Sequence, residues 1–131
     1  MKPRALLLIL AVIPVAAFAF GQAQVNYEDP AALERLIEAG KTPYILVDVR
    51  TPEEYASGHI PTAINIPNTE IGSRPPTQDL SALIIVYCRS GNRSGQAQQV
   101  LQGMGYTNVV NFGPVSKWRK PLVMGDTPTA E

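Results

Sequence analysis

The segment that most constrains the fold is an apolar run that ends at the only cysteine in the chain. The run spans residues 83–87, and Cys88 follows it directly. An uninterrupted stretch of strand-forming residues is typical of a strand buried on both faces, and such strands occur mainly in parallel sheets. A turn follows the cysteine, and a helical pattern begins at Ser94. This strand, turn and helix predict a parallel sheet with helices packed against it.

The rest of the chain alternates between helix and strand patterns. Helices are predicted, from their capping residues and terminal glycines, at residues 30–40, 52–58 and 94–105. The apolar side chains that share one face of the last helix are Ala97, Val100, Leu101 and Met104. Further strands are predicted at residues 44–48, 63–66 and 108–111, and a short helix near Trp118. We therefore predict a single α/β domain with a central parallel sheet and helices on both faces, whose sites form at the carboxyl ends of strands.

The N-terminal segment has the pattern of a secretory signal peptide. Lys2 and Arg4 precede an apolar run over residues 5–20, which ends in small residues at the spacing that signal peptidases recognise. An uncleaved membrane anchor is the alternative, but about 16 apolar residues interrupted by a proline fall short of the ~20 needed to span a bilayer. We predict a cleavable signal peptide over residues 1–23, an exported protein that is periplasmic or secreted, and no stable membrane anchor. Residues 24–124 are the predicted domain, and residues 125–131 a flexible tail.

The composition excludes several classes of function. Without the predicted signal peptide, nine basic and eleven acidic residues remain, a formal charge of −2. The chain has neither a basic stripe nor an aromatic platform for stacking bases, so we expect no nucleic-acid partner. One cysteine and one histidine cannot assemble the usual metal clusters. We therefore expect no metal and no cofactor, and we expect a monomer.

A single cysteine in an exported protein is a buried inert residue, a cross-link to a partner, or a reactive thiol. Cys88 lies where a strand ends and a helix begins, so backbone N–H groups and the helix dipole converge on it. Arg89 and Arg93 add two positive charges within the same turn. These groups favour the thiolate, which is the nucleophilic form of cysteine. We therefore predict that Cys88 is a reactive thiol. The predicted anion-binding loop consists of Arg89, Ser90, Gly91, Asn92, Arg93 and Ser94.

The order and spacing of several motifs resemble those of the rhodanese sulfurtransferases over essentially the whole chain after the signal peptide. The most specific motif is Tyr87-Cys88-Arg89-Ser90-Gly91-Asn92-Arg93-Ser94. The other motifs are Val47-Asp48-Val49-Arg50, Glu53-Glu54-Tyr55, Gly58-His59-Ile60-Pro61 and Ala63-Ile64-Asn65-Ile66-Pro67. The signal peptide makes the chain similar to a periplasmic member of that family. The resemblance implies a single rhodanese-like domain.

The resemblance also implies a two-step transfer of sulfur through Cys88. The thiolate takes the outer sulfur of a small-molecule donor, thiosulfate, and releases sulfite. The resulting persulfide then gives its sulfur to a thiophilic acceptor, which is cyanide in vitro and a thiol or a protein in vivo. In this scheme the N–H groups of the loop hold the persulfide, and Arg89 and Arg93 attract the dianionic donor. Arg93 also helps to fix the loop.

By the same resemblance, Asp48 and Arg50 belong to a supporting shell beneath the loop. Arg50 is expected to pair with Glu53 or Glu54. His59, the only histidine, belongs to the turn before the second strand in the family pattern. We therefore expect His59 to support structure and not to act as a catalytic base.

Two positions depart from the family pattern. Thr62 stands where the family commonly has glycine, and Phe112-Gly113-Pro114 replaces the usual paired glycines ahead of the tryptophan. Neither departure falls in the Cys88 loop. Because of these departures, the resemblance does not predict the backbone conformation of the two turns.

Two other functions remain as alternatives. Phosphatases and arsenate reductases that share the fold have five residues between cysteine and arginine, whereas four separate Cys88 from Arg93. The smaller ring of N–H groups suits a sulfur atom better than a tetrahedral phosphoryl group. The second alternative is a non-enzymatic binding or redox-carrier module, but inactive members of such families usually lack the cysteine.

Overall fold

The computed structural model describes residues 24–127, so the predicted signal peptide and residues 128–131 of the predicted tail lie outside it. The strands in this range are β1 (Ile45–Asp48), β2 (Ile64–Asn65), β3 (Ile84–Cys88) and β4 (Val109–Pro114). The helices are α1 (Pro30–Ala39), α2 (Pro52–Ser57) and α3 (Asn92–Gly103), and a 3₁₀ turn (Val115–Lys117) follows β4. None of the helices in residues 24–127 has the length and apolar character required to cross a membrane.

The strands form one parallel sheet in the order β2-β1-β3-β4. The central pair, β1 and β3, is in register from Ile45 opposite Ile84 to Asp48 opposite Tyr87. The chain continues from β1 to one edge strand and from β3 to the other, and sites in α/β proteins form at such a switch point. Asp48 ends β1 and Cys88 ends β3, so both lie at this crevice.

Helices cover both faces of the sheet because successive side chains of a strand point to opposite faces. On one face, Ile85 and Tyr87 of β3 pack in a cluster with Leu33 of α1 and Tyr55 of α2. On the other face, the cluster contains Ile84, Val86 and Cys88 of β3 with Ala97 and Leu101 of α3. The predicted fold class, a parallel sheet with helices on both faces, is confirmed. The Cys88 side chain points to the face covered by α3.

The capping signals of α1 and α2 act as the sequence predicts. The Asp29 carboxylate accepts a hydrogen bond from the Ala31 N–H at 3.3 Å, and α1 ends at Gly40 in the left-handed conformation. At α2, the Thr51 hydroxyl accepts from the Glu54 N–H and the Glu54 carboxylate accepts from the Thr51 N–H, both at 3.3 Å. This reciprocal capping box orients the Glu54 side chain at the start of α2.

α3 begins at Asn92, two residues earlier than the sequence predicted. The difference arises at Gly91, which precedes the helix with a φ of 95°. Glycine adopts this left-handed conformation without steric cost, so the chain turns from β3 into the helix within a few residues. Arg93 and Ser94 therefore lie in the first helical turn, where backbone N–H groups lack intrahelical acceptors.

The buried face of α3 is narrower than predicted. Ala97 and Leu101 are buried, whereas Val100 and Met104 are 42% and 41% exposed. A helix packed on a sheet buries one stripe of side chains, and Val100 and Met104 lie at the margin of that stripe.

The two departures from the family pattern have local structural counterparts. Thr62 has a φ of 72°, which is strained for a β-branched residue, and its hydroxyl lies within hydrogen-bond distance of the Tyr44 hydroxyl at 2.9 Å. Thr62 thus adopts a backbone conformation that glycine adopts readily. In β4, a register shift opposite Val86 and Tyr87 places Pro114 beside Cys88 in the sheet.

Candidate active site

The Cys88 sulfur is surrounded by hydrogen-bond donors of the loop that follows β3. The Gly91 N–H lies 3.0 Å from Sγ, the Ser94 hydroxyl 3.3 Å, and the Ser94 N–H 3.4 Å. Cys88 and Ser94 are both buried, so these donors act away from bulk water. Three donors converging on one sulfur atom stabilise its anionic form.

The balance of burial and hydrogen bonding favours the thiolate. Burial by itself raises the pKa of the Cys88 thiol. Hydrogen bonds from the Ser94 hydroxyl and from the N–H groups of Ser94, Gly91 and Ser90 outweigh this effect, so the pKa lies below the ordinary cysteine value. Hydrogen bonds of the loop therefore favour the thiolate, and the positive charge of Arg93 acts in the same direction. The sequence had pointed to the two arginines for much of this effect.

Arg93 forms an ion pair with Glu54 of α2. Its Nη1 donates to Glu54 Oε1 at 2.7 Å and its Nη2 to Oε2 at 3.0 Å. The hydrogen bonds from Arg93 lower the pKa of the Glu54 carboxyl to about 2. This bidentate pair ties the start of α3 to the start of α2. Because its partner is a full negative charge, Arg93 offers less attraction to a dianion than the sequence led us to expect.

The other loop residues form the exposed rim of the site. Arg89, Ser90 and Asn92 are exposed, and the Ser90 hydroxyl accepts a hydrogen bond from the Asn92 N–H at 3.4 Å. Within residues 24–127, Arg89 makes no ion pair. The predicted loop residues therefore occupy one turn beside Cys88. In this turn, Arg89 carries a positive charge that no carboxylate within residues 24–127 neutralises.

Asp48 and Arg50 form a buried ion pair at the carboxyl end of β1. Arg50 Nη2 donates to Asp48 Oδ2 at 2.6 Å, and Nε donates to both carboxylate oxygens at 3.0 and 3.1 Å. Nη2 also donates to the Gly58 carbonyl at 2.7 Å. The prediction that Arg50 pairs with Glu53 or Glu54 is wrong. Asp48 is fully buried and needs a compensating charge, and Glu54 is bound to Arg93.

His59 has contacts of a structural kind. Its Nδ1 lies 2.9 Å from the Tyr55 carbonyl oxygen, and its ring stacks on the Tyr55 ring with centroids 3.8 Å apart. A carbonyl only accepts hydrogen bonds, so Nδ1 carries the proton. His59 thereby joins the turn before β2 to α2. No cluster of three or more histidine, cysteine, aspartate or glutamate residues with metal-binding geometry occurs between residues 24 and 127.

Two residues that contact the loop were not identified from the sequence. Glu54 was expected to pair with Arg50, and its contact with Arg93 of the loop was not predicted. Asn111 was assigned to a strand, yet its Nδ2 lies 3.4 Å from the Gly91 carbonyl oxygen and its Oδ1 accepts from the Gly113 N–H at 2.9 Å. Asparagine is disfavoured in strands, so its occurrence inside β4 was the available signal.

Comparisons with known proteins show the family of the chain. Residues 29–120 match the family model of the rhodanese-like domain. The chain is 43% identical over 81 residues to thiosulfate sulfurtransferase PspE of Escherichia coli (strain K12), covering 60% of this chain and 78% of PspE. It is 33% identical over 109 residues to the thiosulfate:glutathione sulfurtransferase of Saccharomyces cerevisiae, covering 71% and 75% of the two chains. A solved structure of a rhodanese with anions from E. coli is 40% identical, with a TM-score of 0.59 over 63% of this chain and 99% of that one.

Proposed function

The chain belongs to the rhodanese-like domain family and is a sulfurtransferase, and we propose that Cys88 is the residue that carries the transferred sulfur. The observation that carries this proposal is the set of three donors on Cys88 Sγ. They lower the pKa of the only thiol in the chain. A thiolate is the form that attacks sulfur, and a buried inert cysteine has no need of such donors.

The proposed donor is thiosulfate, by similarity to relatives named for it. The Cys88 thiolate attacks the outer sulfur of the donor, and a bond forms between Sγ and that sulfur. The sulfur–sulfur bond of thiosulfate breaks, and sulfite leaves with its electron pair. Cys88 is then a persulfide, and no external oxidant or reductant is required.

The loop residues have distinct proposed roles in this step. The exposed guanidinium of Arg89 attracts the dianionic donor to the rim. The N–H groups of Gly91 and Ser94 stabilise negative charge on sulfur. Arg93, through its ion pair with Glu54, holds the first turn of α3 in place, so the N–H groups are oriented before the donor arrives. Asp48 and Arg50 support the strand end beneath the loop.

In the second step an acceptor nucleophile attacks the outer sulfur of the persulfide. The bond between Sγ and that sulfur breaks, and its electron pair returns to Cys88 as a thiolate. Cyanide gives thiocyanate in vitro, and we propose a small thiol or a protein thiol as the acceptor in the cell. The yeast relative is named for glutathione, which supports a thiol acceptor.

We also propose that the protein is exported, with residues 1–23 removed as a signal peptide, and that it acts as a periplasmic or secreted monomer. The charged start and short apolar run of the N-terminus support export. Size-exclusion chromatography of the purified protein tests the monomer.

One experiment tests the chemistry and the export together. The full-length chain is expressed in a bacterium, the soluble periplasmic protein is purified, and its intact mass is measured before and after addition of thiosulfate. We expect a mature start between Phe20 and Gln24, a gain of one sulfur mass with thiosulfate, and its loss with cyanide. Incubation with sulfate is the matched control and adds no mass.

The Cys88→Ser variant identifies the carrier. A serine hydroxyl is not ionised near neutral pH, so this variant should gain no sulfur. Sulfur transfer by Cys88→Ser contradicts the assignment of Cys88, and a wild-type protein that takes up no sulfur contradicts the proposed donor. Recovery of the full-length chain from the membrane fraction contradicts the proposed export.

A further inference from the structure

The hydroxyl of Ser94 has one proton and two acceptors within reach. Its Oγ lies 3.3 Å from Cys88 Sγ and 3.1 Å from the carbonyl oxygen of Gly91. A serine hydroxyl donates a single hydrogen bond at a time, so it stabilises the thiolate only when it turns away from the carbonyl. Sulfur is a larger acceptor atom than oxygen, so the two distances are equivalent, and by themselves they leave the hydroxyl proton divided between the two acceptors.

The Gly91 carbonyl oxygen, however, has three donors for two lone pairs. One donor is the Ser94 hydroxyl. The other two are the Gly95 N–H of α3, 2.9 Å from the carbonyl oxygen, and Nδ2 of Asn111 in β4, 3.4 Å from the carbonyl oxygen. The Gly95 bond belongs to the helix and is fixed. The occupancy of the second lone pair is therefore divided between Asn111 and Ser94.

The orientation of the Asn111 amide is set by its other end. Its Oδ1 accepts a hydrogen bond from the Gly113 N–H at 2.9 Å, which leaves the NH₂ group facing Gly91. A backbone N–H only donates, so the reverse orientation of the amide loses this bond. The irregular part of β4 thus holds a donor against the Gly91 carbonyl whether or not the Ser94 hydroxyl is there.

We propose that Asn111 is a positioning residue for the Cys88 site: by occupying the second lone pair of the Gly91 carbonyl, it directs the hydroxyl proton of Ser94 to Cys88 Sγ. This inference rests on the proposed role of Cys88, but it concerns the ionisation of the thiol and is measured without sulfur transfer. Asn111 itself touches neither the sulfur nor, in the proposed mechanism, the donor.

The test is the pH profile of alkylation by iodoacetamide in four proteins: wild type, Asn111→Ala, Ser94→Ala, and the double variant. Without Asn111, the Gly91 carbonyl takes a larger share of the Ser94 hydroxyl proton, and the thiol pKa rises. We expect the alkylation rate below the pKa to fall about three- to tenfold in Asn111→Ala, equivalent to about half to one pKa unit. In the Ser94→Ala background, the same Asn111→Ala change should leave the profile unshifted, because no hydroxyl remains to redirect.

Two controls separate this role from a structural one. Asn108→Ala removes an exposed asparagine just before β4 and should retain the wild-type profile. Thermal unfolding followed by circular dichroism shows whether each variant is folded over the pH range used. A shift in Asn111→Ala that persists undiminished in the Ser94→Ala background overturns the inference, because Asn111 then acts through the backbone. An unshifted Asn111→Ala overturns it as well. Neither result bears on the proposed function, whose failure is the absence of sulfur uptake by the wild-type protein.

Discussion

The ion pair between Glu54 and Arg93 gives a prediction whose size and pH dependence both follow from the structure. Glu54→Gln keeps the shape of the side chain and removes the charge that holds Arg93. The pKa of the Glu54 carboxyl falls from 4.5 to about 2 in the folded protein, mainly because Arg93 donates two hydrogen bonds to it. A shift of this size corresponds to about 3 kcal/mol if it is fully realised.

Solvent screening reduces this value. The Arg93 and Glu54 side chains are 34% and 29% exposed. Ion pairs with such exposure contribute up to about 1 kcal/mol, and bidentate geometry places this pair at the upper end. We therefore expect Glu54→Gln to lower the free energy of unfolding by about 1 kcal/mol at pH 7, as measured by urea denaturation.

The pH dependence has a definite sign. Because the folded-state pKa of Glu54 lies below its unfolded value, the stabilisation is present above pH 4.5 and is lost as the pH falls towards 2. The difference in stability between wild type and Glu54→Gln should therefore narrow over this window. The matched control is Glu53→Gln, which removes the same charge from the first turn of α2. Within residues 24–127, Glu53 forms no ion pair.

A double-mutant cycle with Arg93→Gln isolates the pair itself. The coupling energy between Glu54 and Arg93 should be about 1 kcal/mol at pH 7 and should decrease in acid. A coupling that is indistinguishable from zero at pH 7, or a Glu54→Gln effect equal to that of Glu53→Gln, refutes the reasoning. The loop would then be held by contacts other than this ion pair.

Two further predictions concern the support beneath the loop, and both are measured by urea denaturation at pH 7. Asp48→Asn leaves the buried Arg50 guanidinium without its counter-ion and should lower the free energy of unfolding by about 3 to 5 kcal/mol; a loss below about 1 kcal/mol contradicts a buried charge pair. Tyr87→Phe removes the acceptor of the Ile60 N–H, a hydrogen bond of 3.0 Å, and should cost about 1 to 3 kcal/mol, whereas an unchanged stability shows that water replaces the hydroxyl.

Features that depend on a few neighbouring residues were predictable from the sequence. The buried strand β3 followed from its apolar run, and the starts of α1 and α2 followed from capping residues within three positions of the helix. The position of Cys88 at the end of β3 is likewise a local property. Such signals are local, because the residues that cap a helix or form a buried strand lie within or next to that element in the sequence.

The partners of the charged residues were not predictable in the same way. The resemblance implied that Arg50 pairs with Glu53 or Glu54. Arg50 precedes the N-cap of α2, and its side chain instead turns back to Asp48. The partner of Arg93 lies 39 residues earlier in the chain, at Glu54. Which side chains meet across such separations depends on how α2 and α3 pack, and the sequence pattern alone does not encode it.

The use of hydrogen bonds to stabilise the Cys88 thiolate has opposite effects on the two proposed steps. A lower thiol pKa increases the thiolate fraction near neutral pH but decreases the nucleophilicity of each thiolate, which limits the gain in sulfur uptake. In the second step Cys88 is the leaving group, and a thiolate of lower pKa leaves faster. The donors of Gly91 and Ser94 therefore favour sulfur delivery more than sulfur uptake. A site that both takes up and delivers sulfur requires a thiol pKa that is only moderately lowered. Burial of Cys88 raises the pKa against the effect of these donors and so limits the lowering.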